Sequence, residues 1–325
     1  MIRVLSLPPL ATIQDLGRDG HWFEGLGRAG AMDPVSHRIA NLLLGNDPNA
    51  ATLEIPLTPA RFRFETRQAF AIAGAPCGAR LNEQPLPRIF AGFASAGDML
   101  DLDPIRVGAR LYLAVPGGMN VPKVLGSRST QLREAFGGHK GRVLAADDLL
   151  KPLSQTDPVL PPMGLSVDLP EFRLPNDRMI HLRALPSTEH ESFDTASRKA
   201  FWSMPYDVTR ENDRQGHRLD GPVLSCESTK ELRSHGIVPG IVQVPGGGLP
   251  IIQLADSATM GGYPKIAAII EPDLWRMGQA RPGDRIHFHR CSLPEAARAA
   301  LEHEEAFGEI TQGLAAAHDQ ETSWA

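Results

Sequence analysis

Residues 241–269, IVQVPGGGLPIIQLADSATMGGYPKIAAI, contain three apolar, strand-like runs joined by two glycine-rich bends. A simple chain reversal needs only Gly, Pro, Asn or Asp. Adjacent glycines also let backbone N–H groups point the same way and let a ligand approach closely. The segment therefore predicts a binding loop held on a rigid sheet. The polar residues of the second bend lie beside Gly261 and Gly262: Asp256, Ser257, Thr259, Tyr263 and Lys265. The plainer alternative is a tight turn in which Asp256 pairs with Lys265.

The rest of the chain repeats this strand-and-turn pattern. The 28 prolines and 31 glycines favour many short strands over long helices. The sequence therefore predicts a mainly β protein with a few helices, built as a barrel or sandwich. We expect further strands at 52–57, 60–64, 69–74, 99–102, 109–115 and 179–184.

Helix signals are few and local. Asp33 followed by Pro34 predicts a helix start, and Gly45 is placed to end that helix. A second helix is expected near 192–202. The capping-box pattern that begins at Ser292 predicts a terminal helix.

The length of 325 residues favours two domains. Five prolines between residues 152 and 171 predict a stiff, extended linker. We therefore expect an N-terminal domain over 1–165 with one helix, and a C-terminal domain over 166–325 with the terminal helix.

Composition excludes several classes of protein. The net charge of −5 and the dispersed basic residues argue against nucleic-acid binding. No apolar run approaches the roughly 20 residues of a membrane helix, and the N-terminus does not resemble a signal peptide, so we expect a cytoplasmic protein. Three distant cysteines argue against a disulfide framework and a zinc knuckle, and predict buried, inert thiols. The P-loop pattern is missing.

Three further segments combine cations with hydrogen-bonding groups. Arg18 could hold an anion bidentately, or form a turn ion pair with Asp15. Arg128, between Ser127 and Ser129, is suited to an anion pocket or to a solvated loop. In the charged segment 209–221, Asn212 and Arg214 are the candidates, although most charge runs are wet surface.

His287 and His289 would share one face of a strand. That spacing could serve a metal ion, but such pairs usually face solvent, so no metal site is predicted.

Ordered sequence blocks resemble the bacterial family known as the C component of 5-oxoprolinase, biotin-dependent carboxyltransferase or allophanate hydrolase subunit 2. The similarity runs from about residue 2 to about residue 290. In chain order the blocks are TIQDLGR (12–18), GAMDP (30–34), ANLL (40–43), LEI (53–55), YLAVPGG (112–118), LGSRST (125–130), RLDG (218–221), QVP (243–245), GGYPKIA (261–267) and QARPGD (279–284).

The resemblance implies two cyclophilin-like β-barrel domains and a site completed by a homologous partner subunit. It implies a 5-oxoprolinase complex with A-like and B-like components that uses ATP as co-substrate and hydrolyses a lactam, 5-oxo-L-proline, to L-glutamate. A second implied activity is carboxyl transfer to urea or a similar amide from biotin carried on a separate protein. A third is non-catalytic regulation, as a histidine-kinase-inhibitor antagonist that binds the homologous partner.

The same resemblance assigns the candidate site. Cations would bind substrate anions or phosphoryl groups, and Asp15 and Asp256 would orient them. No general base or metal ligand is assigned. The catalytic candidates are Lys265, Arg128, Arg214 and Tyr263. The substrate-binding candidates are Asp15, Arg18, Ser129, Asn212, Gln243, Asp256, Thr259, Gly261 and Gly262.

Three positions depart from the family pattern. Gln215 stands where the family has Met, Ala258 replaces Gln before Thr259, and Ala29 replaces a residue with a hydroxyl. These changes leave the substrate open between a lactam, a urea-like amide and an altered chemistry.

Overall fold

The computed structural model describes residues 1–226 and 232–322. Residues 227–231 and 323–325, which fall in the predicted second domain, lie outside the described part. The chain divides into two compact units. The first unit comprises Met1–Arg18, Ala29–Leu174 and the end of the chain from Phe307; the second comprises Asp19–Arg28 and Pro175–Ala306. The prediction of a mainly β fold with a few helices is confirmed.

The first unit contains two six-stranded sheets. Its strands are β1 (Ile2–Ser6), β2 (Thr12–Gln14), β3 (Thr52–Pro56), β4 (Ala60–Phe64), β5 (Gln68–Gly74), β6 (Ala79–Leu81), β7 (Gln84–Pro85), β8 (Phe90–Ala94), β9 (Met99–Leu102), β10 (Arg110–Ala114), β11 (Leu149–Leu150) and β12 (Leu165–Ser166). One sheet has the order β11-β1-β4-β9-β6-β7, and the other β12-β8-β5-β10-β3-β2.

Alternation along the strands explains the core of the first unit. In β4 the side chains of Ala60, Phe62 and Phe64 are buried, whereas Arg61 and Arg63 are exposed. Apolar residues of both sheets fill one core, in which the Phe64 and Phe70 rings lie 5.2 Å apart. Burial of this apolar area supplies the main stabilisation of the unit.

The first helix begins as predicted. Helix α1 (Pro34–Leu42) follows Asp33, whose carboxylate accepts hydrogen bonds from the N–H of Ser36 at 3.0 Å and from its hydroxyl at 2.6 Å. Gly45, in the left-handed region at φ 67°, donates its N–H to the Leu42 carbonyl at the end of the helix.

The proline-rich segment 152–171 differs from the extended linker that the sequence predicts. Strand β12 pairs with β8, and Pro170–Phe172 forms a 3₁₀ turn. The Phe172 ring packs 5.5 Å from Phe307, both within the first unit. Apolar residues at Leu160, Leu169 and Phe172 give this segment a face to bury, which the proline count does not reveal.

The second unit is built on a closed barrel. Its strands are β13 (Met179–Pro186), β14 (Tyr206–Asn212), β15 (Gly216–Asp220), β16 (His235–Gly236), β17 (Ile241–Gln243), β18 (Ile251–Gln253), β19 (Met260–Gly261), β20 (Lys265–Ile269) and β21 (Arg285–Arg290). Seven of them close in the order β13-β20-β17-β18-β15-β14-β21. The first and last strands of the series, β13 and β21, pair in parallel, and β16 pairs with β19 beside the barrel.

Aromatic rings fill the barrel of the second unit. Phe201, Tyr206 and Phe288 are fully buried, and the Phe201 and Phe288 rings stack at 4.5 Å. Phe201 belongs to helix α2 (Thr195–Ser203), which is capped by Asp194. It starts three residues later than expected because His190–Ser192 forms a 3₁₀ turn. Further 3₁₀ turns are Trp22–Glu24 and Glu271–Asp273.

Two helices follow the barrel strands. Helix α3 (Leu274–Gln279) is short, and α4 (Leu293–Thr322) runs to the end of the described chain. The Ser292 capping box is confirmed, because the Glu295 carboxylate accepts from both the N–H and the hydroxyl of Ser292 at 2.7 Å.

The three cysteines are free, as expected, but only Cys291 is buried; Cys77 and Cys226 are half-buried. Within residues 1–226 and 232–322, no helix combines the length and apolar character needed to cross a bilayer.

Candidate functional site

Lys265 lies at the start of β20 and is 2% exposed. Its Nζ lies 2.6 Å from Nε2 of His235, and 3.4 and 3.5 Å from the carbonyl oxygens of Tyr263 and Gly261. His235 reaches this position because β16 pairs with β19, which sets His235 opposite Gly261. Lys265, from the segment 241–269, therefore contacts a histidine that lies outside that segment.

Glu189 completes the surroundings of the lysine. Its Oε2 accepts from the Lys265 N–H at 3.2 Å, and its Oε1 lies 3.4 Å from His235 Nε2. We call Lys265, His235 and Glu189 the lysine cluster. Burial lowers the pKa of the Lys265 amine, and the negative charge of Glu189 opposes that shift.

The hydrogen-bond partners indicate the histidine tautomer. Nδ1 of His235 lies 3.0 Å from the Arg233 carbonyl, which can only accept, so Nδ1 carries the proton. In the neutral imidazole with that proton, Nε2 is the acceptor from the Lys265 ammonium. The contacts of Nζ with the two carbonyls are longer and weaker, so the amine can turn to a substrate oxygen while keeping its bond to His235.

Gln243 lies beside the lysine cluster. It is the cross-strand partner of Lys265 in the pairing of β17 with β20. Its side chain is buried, and Nε2 has no hydrogen-bond partner among the described residues. A buried amide donor without an acceptor is costly, so it is suited to a ligand carbonyl.

The two adjacent glycines leave room for this arrangement. A Cβ on Gly261 would lie 2.5 Å from Gln243 Nε2, and one on Gly262 would lie 3.2 Å from the Leu232 carbonyl. The absence of a Cβ at Gly261 therefore lets the Gln243 amide approach closely, and no positive φ is involved.

Arg214 and Asp256 form a second arrangement in the same unit. The guanidinium donates to the carboxylate through Nε at 2.8 Å and Nη2 at 3.0 Å, and Arg214 is 6% exposed. The Asp256 N–H also donates to the Arg214 carbonyl at 2.9 Å. Asp256 thus pairs with Arg214, so the expected alternative of a pair with Lys265 is wrong. This bidentate pair fixes the loop before Thr259 to the β14–β15 turn.

The remaining candidates of the second unit differ in exposure. Thr259 is buried, and its carbonyl accepts from the Ile237 N–H at 3.0 Å. Tyr263 is 53% exposed. The Asn212 amide donates to the nearby Thr209 carbonyl at 2.7 Å, which holds that side chain in its own hairpin. Roles of these three in substrate binding stay predictions.

The first unit holds a separate cluster around Asp15. Its carboxylate accepts from the hydroxyls of Ser127 and Ser129 at 2.6 and 2.5 Å, and from the N–H groups of Arg128 and Gly17 at 2.6 and 2.8 Å. Four donors on one buried carboxylate fix the loop after β2 to the Ser127–Ser129 loop.

The two candidate arginines of the first unit, Arg18 and Arg128, each donate to a backbone carbonyl. Arg18 is buried, donates through Nη2 to the Ser129 carbonyl at 2.7 Å, and lies 4.8 Å over the Phe136 ring. Arg128 is half-buried and donates through Nε to the Val121 carbonyl at 3.0 Å. An anion-binding role for either guanidinium stays a prediction.

The three residues that depart from the family pattern differ in their exposure to solvent. The side chains of Gln215 and Ala258 are exposed, whereas Ala29 is buried with φ at 54°. Ala29 therefore occupies a left-handed conformation that alanine rarely adopts.

Sequence reasoning missed His235, Glu189 and the role of Ser127. His235 is an isolated histidine 30 residues before Lys265, and Glu189 lies 76 residues before it. No local pattern joins such residues, because strand pairing brings them together. The shared segment of Ser127 with Arg128 and Ser129 was the one available signal.

The chain belongs to the carboxyltransferase domain family, subdomain A and B, whose pattern matches residues 24–290. It is 40% identical over 314 residues to the C component of 5-oxoprolinase from Escherichia coli K12, covering 97% of this chain and 99% of that protein. The protein of the same name from Haemophilus influenzae is 37% identical, with 94% and 96% covered.

The fold is also similar to a solved enzyme structure. The crystal structure of Kluyveromyces lactis urea carboxylase matches 94% of this chain with a TM-score of 0.87 and 26% sequence identity. This chain spans 28% of the length of that enzyme. The resemblance inferred from the sequence blocks is therefore confirmed.

Proposed function

We propose that the chain is one component of an ATP-dependent 5-oxoprolinase-type complex that hydrolyses 5-oxo-L-proline to L-glutamate. The observation that carries this proposal is the end-to-end similarity to the C component of 5-oxoprolinase, at 40% identity over 97% of this chain and 99% of the relative. A match along nearly the whole of both chains supports a shared role better than a match to part of a larger enzyme does.

The lysine cluster supports chemistry on an amide. A lactam carbonyl becomes reactive when a cation or an oriented N–H group stabilises negative charge on its oxygen. The Lys265 ammonium can supply that charge, and its lowered pKa makes it a better proton donor than an ordinary lysine. His235 Nε2, at 2.6 Å, can take a proton from the amine.

Gln243 supports a carbonyl ligand beside that amine. Its buried Nε2 needs an acceptor, and an amide oxygen would provide one. We assign Gln243 to orientation of the substrate and Lys265 to activation of it. Arg214, held by Asp256, is assigned to support of the loop that carries Thr259.

The partners in this proposal are a homologous B-like protein and an A-like protein of the 5-oxoprolinase complex. The sequence has no P-loop pattern, so we place the binding of ATP with these partners. When bound, ATP would supply the phosphoryl group that makes the lactam open to attack by water. We also propose that this chain does not turn over substrate without its partners.

Carboxyl transfer is the second candidate. It is favoured by the family itself and by the similarity to urea carboxylase at a TM-score of 0.87. Here biotin would be carried by another protein. The Gln243 amide, which has no partner among residues 1–226 and 232–322, fits the carbonyl of a ureido ring or of urea. Both proposed activities use the Lys265 amine and the Gln243 amide as hydrogen-bond donors, so an assay is needed to distinguish lactam hydrolysis from carboxyl transfer.

The test is to purify this chain with its A-like and B-like partners and to measure glutamate formed from 5-oxoproline, with and without ATP. We expect glutamate only when ATP and all three proteins are present. A parallel assay supplies carboxybiotin on a carrier protein and urea. Carboxylation of urea without any ring opening would favour the second candidate and overturn the first. Assembly with neither activity would indicate a regulatory protein.

A further inference from the structure

Three histidines meet on the outside of the barrel in the second unit. His181 lies on β13, and His287 and His289 lie on β21. The parallel pairing of these strands sets His181 opposite His287. Leu182, which follows His181, and Phe288, which lies between His287 and His289, are both buried, so the three imidazoles share the outer face of the barrel.

The imidazole nitrogens are close enough to share one ion. Nδ1 of His181 lies 2.7 Å from Nε2 of His289, and Nδ1 of His287 lies 3.1 Å from the same atom. One ligand nitrogen from each of the three rings lies within 4.8 Å of the ligand nitrogens of the other two. Two nitrogens at about 2.1 Å from a tetrahedral zinc ion are about 3.4 Å apart, so small rotations of the three rings would reach that geometry.

The backbone supporting these histidines is rigid. Both strands belong to the closed barrel, and six consecutive residue pairs join β13 to β21. A ligand set on two paired strands loses little entropy of the backbone when it binds an ion. Isolated histidines on a flexible loop would not have this advantage.

A cation on the same strand as His181 is paired with a carboxylate. Arg183 follows His181 by two residues, and it donates to Asp273 through Nε at 3.0 Å and Nη2 at 2.8 Å. This bidentate pair neutralises the guanidinium beside the histidines. A metal ion at the histidines would therefore not face an uncompensated positive charge from Arg183.

We propose that His181, His287 and His289 form a binding site for a divalent first-row transition-metal ion, with zinc as the expected ion. Three neutral imidazoles suit zinc, copper, nickel or cobalt, whereas calcium and magnesium require oxygen ligands. The fourth coordination position faces solvent. The ion would join the first and last strands of the barrel series across their parallel pairing, and so stabilise the second unit.

The test uses the full chain without an affinity tag of histidines, titrated with zinc chloride in a calorimeter. We expect one equivalent to bind. His289→Gln should weaken binding by at least ~10-fold, because His289 contacts both other rings. His21→Gln is the matched control: it removes a histidine of the same unit outside the cluster and should bind as the wild type does.

Two further readouts keep the proposal falsifiable if His289→Gln folds poorly. His287→Gln alters a half-buried strand position of the same cluster, and should also lose affinity. Cobalt(II) should give the visible absorption bands of a low-coordinate site in the wild type and not in His287→Gln. Absence of stoichiometric zinc binding, or binding equal in wild type and both cluster variants, would overturn the proposal.

Discussion

At the scale of single residues, the proposed chemistry depends on a lysine that is removed from water but not paired with a carboxylate at its amine. Lys265 Nζ contacts an imidazole and two carbonyls, while Glu189 binds the backbone N–H of the same residue. Desolvation therefore dominates and lowers the pKa of the amine. A direct ion pair would have raised that pKa and made proton transfer harder.

Gly261 allows the close approach of Gln243 to this region. Gly261→Ala would add a Cβ 2.5 Å from Gln243 Nε2, so the amide must move. We expect at least ~10-fold lower turnover by the assembled complex, since misplacement by about 1 Å costs this much or more. Gly246→Ala, in the other glycine-rich bend, meets no atom within 4 Å and is the control. Equal turnover in the two variants would contradict the assigned role of Gln243.

His37 provides a prediction on pH. It is buried in α1, its Nδ1 lies 2.8 Å from the Thr52 hydroxyl, and burial lowers its pKa from 6.5 to about 4. Between these values the unfolded chain binds a proton that the native chain does not, so stability falls as the solution is acidified. The loss amounts to about 3 kcal/mol of unfolding free energy below pH 4.

The measurement is an NMR titration of the His37 ring in protein labelled at histidine, with the resonance assigned from the spectrum of His37→Gln. The expected midpoint is below pH 5. A midpoint near 6.5 would show that the ring is hydrated in the native state, and would remove its contribution to acid instability.

At the scale of elements, the sequence predicted those strand bounds and helix caps that depend on only a few neighbouring residues. Strands β4 and β9 have their predicted bounds, and the caps at Asp33 and Ser292 were found from single residues. Alternation and capping act within a few residues, so a sequence displays them directly. Part of the proline-rich segment was misjudged because its burial depends on contacts with β8 and Phe307.

Pairing between distant strands was the part that no local signal could supply. The contact of His235 with Lys265 requires β16 to lie beside β19. The approach of His181 to His287 and His289 requires β13 to pair with β21 as the barrel closes. For the candidate site, residue types were therefore predictable from family blocks, whereas their partners were not. Asp15, for example, accepts hydrogen bonds from hydroxyls and backbone N–H groups, and its predicted role in orienting a cation stays a prediction.

The cap at the start of α1 should contribute to the stability of the protein. Asp33→Ala removes the acceptor of both the N–H and the hydroxyl of Ser36, and the site is buried. We expect a loss of about 2 kcal/mol of unfolding free energy, at the upper end for a cap. Asp194→Ala removes the half-buried cap of α2 and should cost about 1 kcal/mol. Urea unfolding of both variants checks this, and an equal or reversed order would contradict the argument from burial.

At the scale of the whole molecule, the chain combines two compact units, each with its own cluster of family residues. The cluster around Asp15 is saturated with internal hydrogen bonds, so it is suited to holding loops in place. The lysine cluster combines a buried amine, an imidazole and, nearby, an amide donor with no partner in the described part of the chain, so it is suited to chemistry. This contrast leads us to place amide activation in the second unit.

The most direct test of this claim is the rate of ATP-dependent glutamate formation from 5-oxoproline by the complex that contains Lys265→Met. Methionine keeps most of the length and apolar character of the lysine stem but removes the donor, so we predict a loss of at least ~100-fold with assembly of the complex intact. Lys199→Met, on the exposed side of α2, should match the wild type. Turnover by the Lys265→Met complex within about twofold of the wild type would contradict the account.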